Sequence, residues 1–187
     1  MIGYISGVVL SLEPPTAIIV TGGVGYEVDL PSHVLAEFKV GSEVELAVRT
    51  LVRADSFALY GFADRLERSL FDSLLKVQGV GPSVALGLIG SLGVQGCYTA
   101  VANEDVAALR SAPGVGDKTA RRIVVDLSTV ARRSGVPIRA MAVRSEVREG
   151  LLALGFRPRE FEPILDQVPD TMGAEDGLRW ILKELRS

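Results

Sequence analysis

At 187 residues, with 48% hydrophobic and 23% charged residues, the chain has the composition of a soluble globular protein, with room for one to three small domains. No apolar run approaches the ~20 residues of a membrane span, and no basic segment leads into a long apolar block at the N-terminus. A single cysteine, Cys97, excludes an intrachain disulfide framework and any multi-cysteine metal cluster, and a single histidine, His33, leaves few routes to zinc or to a nucleophilic triad. The expectation is a cytoplasmic, reduced protein without metal or cofactor.

The net charge of −3 argues weakly against general coating of nucleic acid. Its distribution is more telling. Residues 1–63 carry three Lys/Arg against seven Asp/Glu, residues 64–134 nine against seven, and residues 135–187 eight against nine. The mild positive charge is central.

Residues 1–63 read as all-β. "MIGYISGVVLSL", "TAIIVTG", "GYEVDL", "EVELAVRTLV" and "FALYGF" are rich in β-branched and aromatic residues, separated by turn signals at Pro14-Pro15, Gly22-Gly23, Gly41-Ser42 and Ala54-Asp55-Ser56. Five short strands in this length fit a small barrel or sandwich, of which a five-stranded oligonucleotide-binding barrel is one form. A small β-domain without a ligand fits the pattern equally well.

From Asp64 the period becomes helical. Leu66, Leu70, Phe71, Leu74 and Val77 recur at helix spacing up to Gln78-Gly79. Pro82 suits the first turn of the next helix, whose apolar face is Val84, Ala85, Leu88 and Ile89. A helix around Tyr98 and Val101 follows, then one N-capped by Asn103 and running through Leu109. A long helix carrying Ala120, Ile123, Val124 and Leu127 closes this all-α segment, residues 64–134. Residues 135–145, with Gly135 and Pro137, read as a flexible linker. Residues 146–187 supply three amphipathic helices, the first stopped by Gly155, and fit a compact three-helix bundle.

Between the central helices the chain repeats itself: "VQGVGPSVA" at 77–85 and "APGVGDKTA" at 112–120 share Gly-Val-Gly, three residues, Ala. A P-loop needs Gly-Lys-Ser/Thr after a strand, and a dinucleotide fingerprint needs Gly or Ala where Val84 and Thr119 stand. Both fail. One copy is explained by glycine permitting a tight turn; two copies at equivalent places favour a ligand. Gly79 and Gly114 can take positive φ, and Gly81 and Gly116 bring no side chain between backbone and ligand. The next helix then offers free amides and the positive end of its dipole, a site for a phosphate oxygen. Such binding reads no base edge and needs few basic side chains.

These phrases resemble the paired helix–hairpin–helix motifs of the RuvA family, the DNA-binding subunits of bacterial Holliday-junction branch-migration complexes. "MIGYISG", "GGVGYEVDLP" and "LYGF" look like the family's N-terminal barrel, and "LLALGFRP" like its small C-terminal domain. The resemblance implies a multidomain α+β fold: a five-stranded barrel at 1–63, a tandem helix–hairpin–helix domain at 64–134, a linker at 135–145 and a three-helix motor-binding domain at 146–187. It implies a non-catalytic protein that holds four-way junctions open and planar without sequence preference. The implied partners are the junction, three further copies in a homotetramer, a facing second tetramer, a ring-shaped ATPase of the RuvB type docked through the C-terminal domain, and a junction-resolving endonuclease, with no membrane.

By motif match the DNA-contacting positions are Gly79, Val80, Gly81 and Ser83 in the first hairpin. In the second they are Gly114, Val115, Gly116, Lys118, Thr119 and Arg122. Ser83 stands where the family often has lysine, and Asp117 where a basic residue is common, so each hairpin should bind weakly and the tetramer supply avidity. "VRADSFALYGF" matches an acidic pin that repels phosphates at the crossover, here reduced to Asp55 because Ala54 occupies the place of a second acid. Leu151, Leu154 and Phe156 match the motor-binding surface, with a place in the bundle core as the alternative for Leu151. Two other functions compete. "PGVG–KTA" also occurs in base-excision glycosylases with lyase activity, where Lys118 would be the Schiff-base nucleophile, although no acid follows at 134–136. A purely protein-binding scaffold is the other.

Overall fold

The computed structural model describes residues 1–54, 56–134, 138–169 and 171–185. By compactness these divide into two units, one of residues 1–93 with 112–114, the other of residues 94–111 with 115–187.

The first unit opens with β1 (Tyr4–Glu13), β2 (Thr16–Thr21) and β3 (Val24–Asp29), then helix α1 (Ser32–Glu37), β4 (Glu43–Val52) and β5 (Phe57–Phe62). The strands close into a barrel in the order β1-β2-β3-β5-β4, with only β3 and β5 parallel. Closure runs through β1 and β4, where Tyr4 faces Ala47 and Gly7 faces Val44. Alternation sends Ile5, Ala17, Ile19, Val28, Leu46, Val48 and Leu59 into one core. The expected strands are all present. The expectation of an all-β segment needs one correction, because α1 covers part of the barrel and buries Val34 in the same core.

Helix α2 (Arg65–Leu74) starts where the period changes. Asp64 caps it, accepting from the amides of Leu66 at 2.6 Å and Glu67 at 2.9 Å. Its apolar face, Leu70, Phe71 and Leu74, is fully buried. Phe71 packs on Phe62 and Tyr60 of β5, with ring centroids 4.9 and 5.1 Å away. Arg49 of β4 pairs with Asp72 at 3.0 Å, and His33 of α1 with Glu67 at 2.7 Å. The helix leading to the first hairpin is thus fixed to the barrel.

Helix α3 (Pro82–Ala102) is two helices joined at Gly93, whose φ of 63° and ψ of −178° break the helical path. The joined run is as long and apolar as a membrane span, which corrects the expectation that no apolar run approaches that length; half of its 18-residue apolar stretch is buried within the protein. Within the first unit, residues 112–114 lie on the first half of α3. A Cβ on Gly114 would stand 3.2 Å from Val84 Cγ2.

In the second unit the end of α3 buries Val94, Cys97, Ala100 and Val101. Burial alone pushes the Cys97 thiol up to about 12, so it stays protonated and inert. Helix α4 (Val106–Arg110) is capped by Asp105, which accepts from the Ala108 amide at 2.9 Å, and not by the expected Asn103. Both residues suit a cap; the first helical turn begins two residues later than the apolar period suggests. Helix α5 (Asp117–Ser134) buries Ala120, Ile123 and Leu127.

Helix α6 (Ile138–Ala153) corrects the linker expectation, since residues 138–145 are helical. "IRAMAVRSEV" lacks a clean apolar stripe but contains no Gly or Pro, and its Ala, Arg, Met and Glu favour helix intrinsically. Gly135 and Pro137 lie outside the described residues. Gly155, with φ of +89°, ends α6: its amide donates to Leu152 O and that of Phe156 to Leu151 O, the two bonds of a Schellman stop. With α7 (Pro158–Leu165) and α8 (Ala174–Glu184), α6 buries Val147, Leu151, Phe161, Leu165 and Ile181.

Candidate nucleic-acid interface

Each Gly-Val-Gly bend is built the same way. Its valine is anchored, Val80 at 6% and Val115 at 8% exposure, while the preceding glycine is exposed. Gly79 and Gly114 have φ of +92° and +79°, a region that favours glycine, so both are required by the turn itself. Gly81 and Gly116 have no left-handed φ, and a Cβ on either would meet nothing within 4 Å. Neither backbone conformation nor internal packing demands glycine there. The feature that a side chain at these positions would obstruct is the approach of something from outside.

The alanine of each motif has a defined place. Ala85 and Ala120 are fully buried, and their amides donate to Gly81 O and Gly116 O, each at 2.9 Å. Gly81 and Gly116 therefore occupy the N-cap positions of α3 and α5. The amides of Ser83 and Val84, and of Asp117, Lys118 and Thr119, come before the first intrahelical acceptor. A glycine cap has no side chain to satisfy them. Elsewhere the same chain uses aspartate for that task, at Asp64 of α2 and Asp105 of α4. The two hairpin helices present amide donors and a positive dipole end outward, as an anion requires.

Around these bends Ser83 and Lys118 are exposed, and Thr119 and Arg122 are partly exposed. Asp117 does not stand as a bare carboxylate. Arg121 donates from Nε to its Oδ2 at 2.9 Å, and Arg110 Nη1 lies 4.0 Å from its Oδ1. The Arg121 hydrogen bond, with both guanidinium charges, holds the Asp117 carboxyl below the usual carboxylate range. Arg110 and Arg121 were not singled out from sequence, although the four-residue spacing of Asp117 and Arg121 was a readable signal. Because Lys118 is exposed, it lacks the desolvation on which a Schiff-base lysine relies.

Two other groups of expected residues belong to other segments of the chain. Asp55 is outside the described residues; the hairpin that carries it is closed by Arg53 N donating to Ser56 O at 2.8 Å, between exposed Val52 and Phe57. In the C-terminal bundle, Leu154 is 58% exposed and Phe156 partly exposed, whereas Leu151 is fully buried. Of the three, Leu154 and Phe156 are thus open to solvent, with Leu152 beside them at 37% exposure, while Leu151 belongs to the core of the bundle.

Comparison with known proteins agrees with this geometry. Residues 1–61 match the family described as the RuvA N terminal domain, residues 71–129 the SAM-like helix-hairpin-helix tandem, and residues 142–186 the RuvA C-terminal domain. A protein of Laribacter hongkongensis named Holliday junction branch migration complex subunit RuvA is 37% identical, over 99% of this chain and 98% of its own. Relatives of the same name from Aromatoleum aromaticum and Proteus mirabilis are 35% and 36% identical; they align over 99% and 94% of this chain and 98% and 94% of their own.

Proposed function

The chain belongs to the RuvA family, and from that premise we propose that it binds four-way DNA junctions by structure and not by sequence, as the non-catalytic subunit of a branch-migration complex. The observation that carries this reading is the duplicated bend with an anchored valine, a left-handed glycine before it and an unobstructed glycine after it. Phosphate oxygens approach Gly81 and Gly116 and accept from the amides that open α3 and α5. The bends Gly79-Val80-Gly81 and Gly114-Val115-Gly116 supply the backbone receptors. Ser83, Lys118, Thr119 and Arg122 add side-chain donors.

Phosphate contact explains how a chain of net charge −3 holds a polyanion: the attraction is local, from peptide dipoles and a few cations. One subunit of this kind grips a duplex arm weakly. A homotetramer places one subunit on each arm, so the four contacts act together. A second tetramer can close over the opposite face of the junction. Asp55, repeated four times around the axis, forms a reduced pin that disfavours phosphates at the crossover. The C-terminal bundle docks a ring ATPase through Leu154 and Phe156, and a junction-resolving endonuclease is a further partner. The complex works in the cytoplasm, in homologous recombination and DNA repair.

Band shifts of the full chain on a four-way junction and on a linear duplex of equal length, each at two salt concentrations, test this reading. Junction preference with steep loss of affinity as salt rises is the expected result. Equal binding to both DNAs, or binding indifferent to salt, refutes it. A covalent adduct trapped by borohydride on an abasic-site duplex would instead establish the lyase that the exposed Lys118 disfavours.

A further inference from the structure

Asp117 is the first residue of α5, beside the second bend, where a bare carboxylate would push phosphate away. Its surroundings alter that. Arg121 lies one turn further along α5 and Arg110 ends α4, so the two arginines reach Asp117 from the two helices that flank the bend. The group carries two guanidiniums for one carboxylate. All three side chains are more than half exposed, at 55% for Arg110, 53% for Asp117 and 68% for Arg121, so the group contributes nothing to the core. Exposed ion pairs of this kind contribute little to stability. The Arg121 bond uses Nε, which leaves the two terminal nitrogens, the donors suited to phosphate oxygens, unconsumed by it. An arginine already tethered at Nε also has less side-chain freedom to lose when it meets a ligand.

We infer that Asp117 is a positioning residue, which holds Arg121 and Arg110 over the second bend as two further phosphate contacts. The inference rests on the proposed role of that bend as a phosphate receptor. It makes the acidic residue an aid to DNA binding, through cations that the exposed Ser83 does not provide at the first bend.

The test titrates the full chain with a fluorescently labelled four-way junction over a range of salt, after circular dichroism and melting have shown each variant folded. Arg121→Gln should weaken binding about three- to tenfold and lower the slope of log affinity against log salt by about 1, as loss of a phosphate contact does. Arg110→Gln should act in the same direction. Asp117→Asn removes a negative charge yet should weaken binding by about threefold, the scale of an exposed pair, and Asp117→Glu should restore it. In an Arg121→Gln, Arg110→Gln background the sign should reverse, because the carboxylate then only repels, and Asp117→Asn should tighten binding. Tighter binding by Asp117→Asn in the otherwise unchanged chain overturns the inference, as does an unchanged salt slope in Arg121→Gln. If the unaltered chain shows no salt-dependent hold on the junction, the parent reading fails instead.

Discussion

His33 Nε2 of α1 lies 2.7 Å from Glu67 Oε1 of α2, and the other Glu67 oxygen accepts from the Ala63 amide at 3.0 Å. The pair ties the barrel's own helix to the helix that leads into the first hairpin. The hydrogen bond with Glu67 raises the His33 pKa above its ordinary 6.5; partial burial opposes the rise, and the charges of Glu67, Glu37 and Asp64 add to it. A histidine whose folded pKa is raised stabilises the fold fully below the unfolded value and loses that contribution as pH climbs through the folded one. The melting temperature should therefore fall as pH rises from below 6.5 through the raised folded-state value, and fall less in His33→Gln. The effect is modest, because His33 is 38% exposed. Equal falls in both proteins would contradict the role of the pair.

If Asp55 acts as a pin, its carboxylate should cost linear duplex more than it costs a junction with an open centre. Asp55→Lys should raise affinity for linear duplex relative to the four-way junction. Competition between the two DNAs in one band-shift mixture reads the ratio directly. An unchanged ratio removes Asp55 from the mechanism.

In the C-terminal bundle the fully buried Leu151 stands three residues before the exposed Leu154. Leu151→Ala should destabilise the bundle by about 2–5 kcal/mol, the usual cost of emptying a fully buried leucine site. Leu154→Asp, at an exposed position, should leave the melting curve near that of the parent and abolish stimulation of the motor's ATPase, with junction binding kept. Full stimulation by Leu154→Asp would place the docking surface elsewhere.

These residues also show what could be read from the chain alone. The barrel strands were legible because a half-buried strand repeats every two residues, and Ile5, Ile19, Val28 and Leu46 obey that period. Helix α1 was not, because six residues with one fully buried side chain, Val34, leave too short a period to detect. Residues 138–145 were misread for the opposite reason: intrinsic helix preference acts there without an amphipathic stripe. Both bends were legible from their glycines, but the division of labour between Gly79 and Gly81 depends on φ and on open space, which sequence does not carry. The same holds for Asp117. Read as a lone acid it opposes phosphate; the four-residue spacing points to Arg121, but Arg110 becomes visible only once α4 and α5 are placed.

Phosphate contact at the two bends requires the unobstructed glycines at the two helix starts. In the double variant Gly81→Val, Gly116→Val each new side chain enters open space, so the fold should survive with a loss of about 1 kcal/mol per cap position. Direct titration of that variant, as a folded oligomer, against a labelled four-way junction should show affinity lowered at least about a hundredfold, because both phosphate receptors are blocked at once. Junction affinity equal to that of the parent protein would contradict the account.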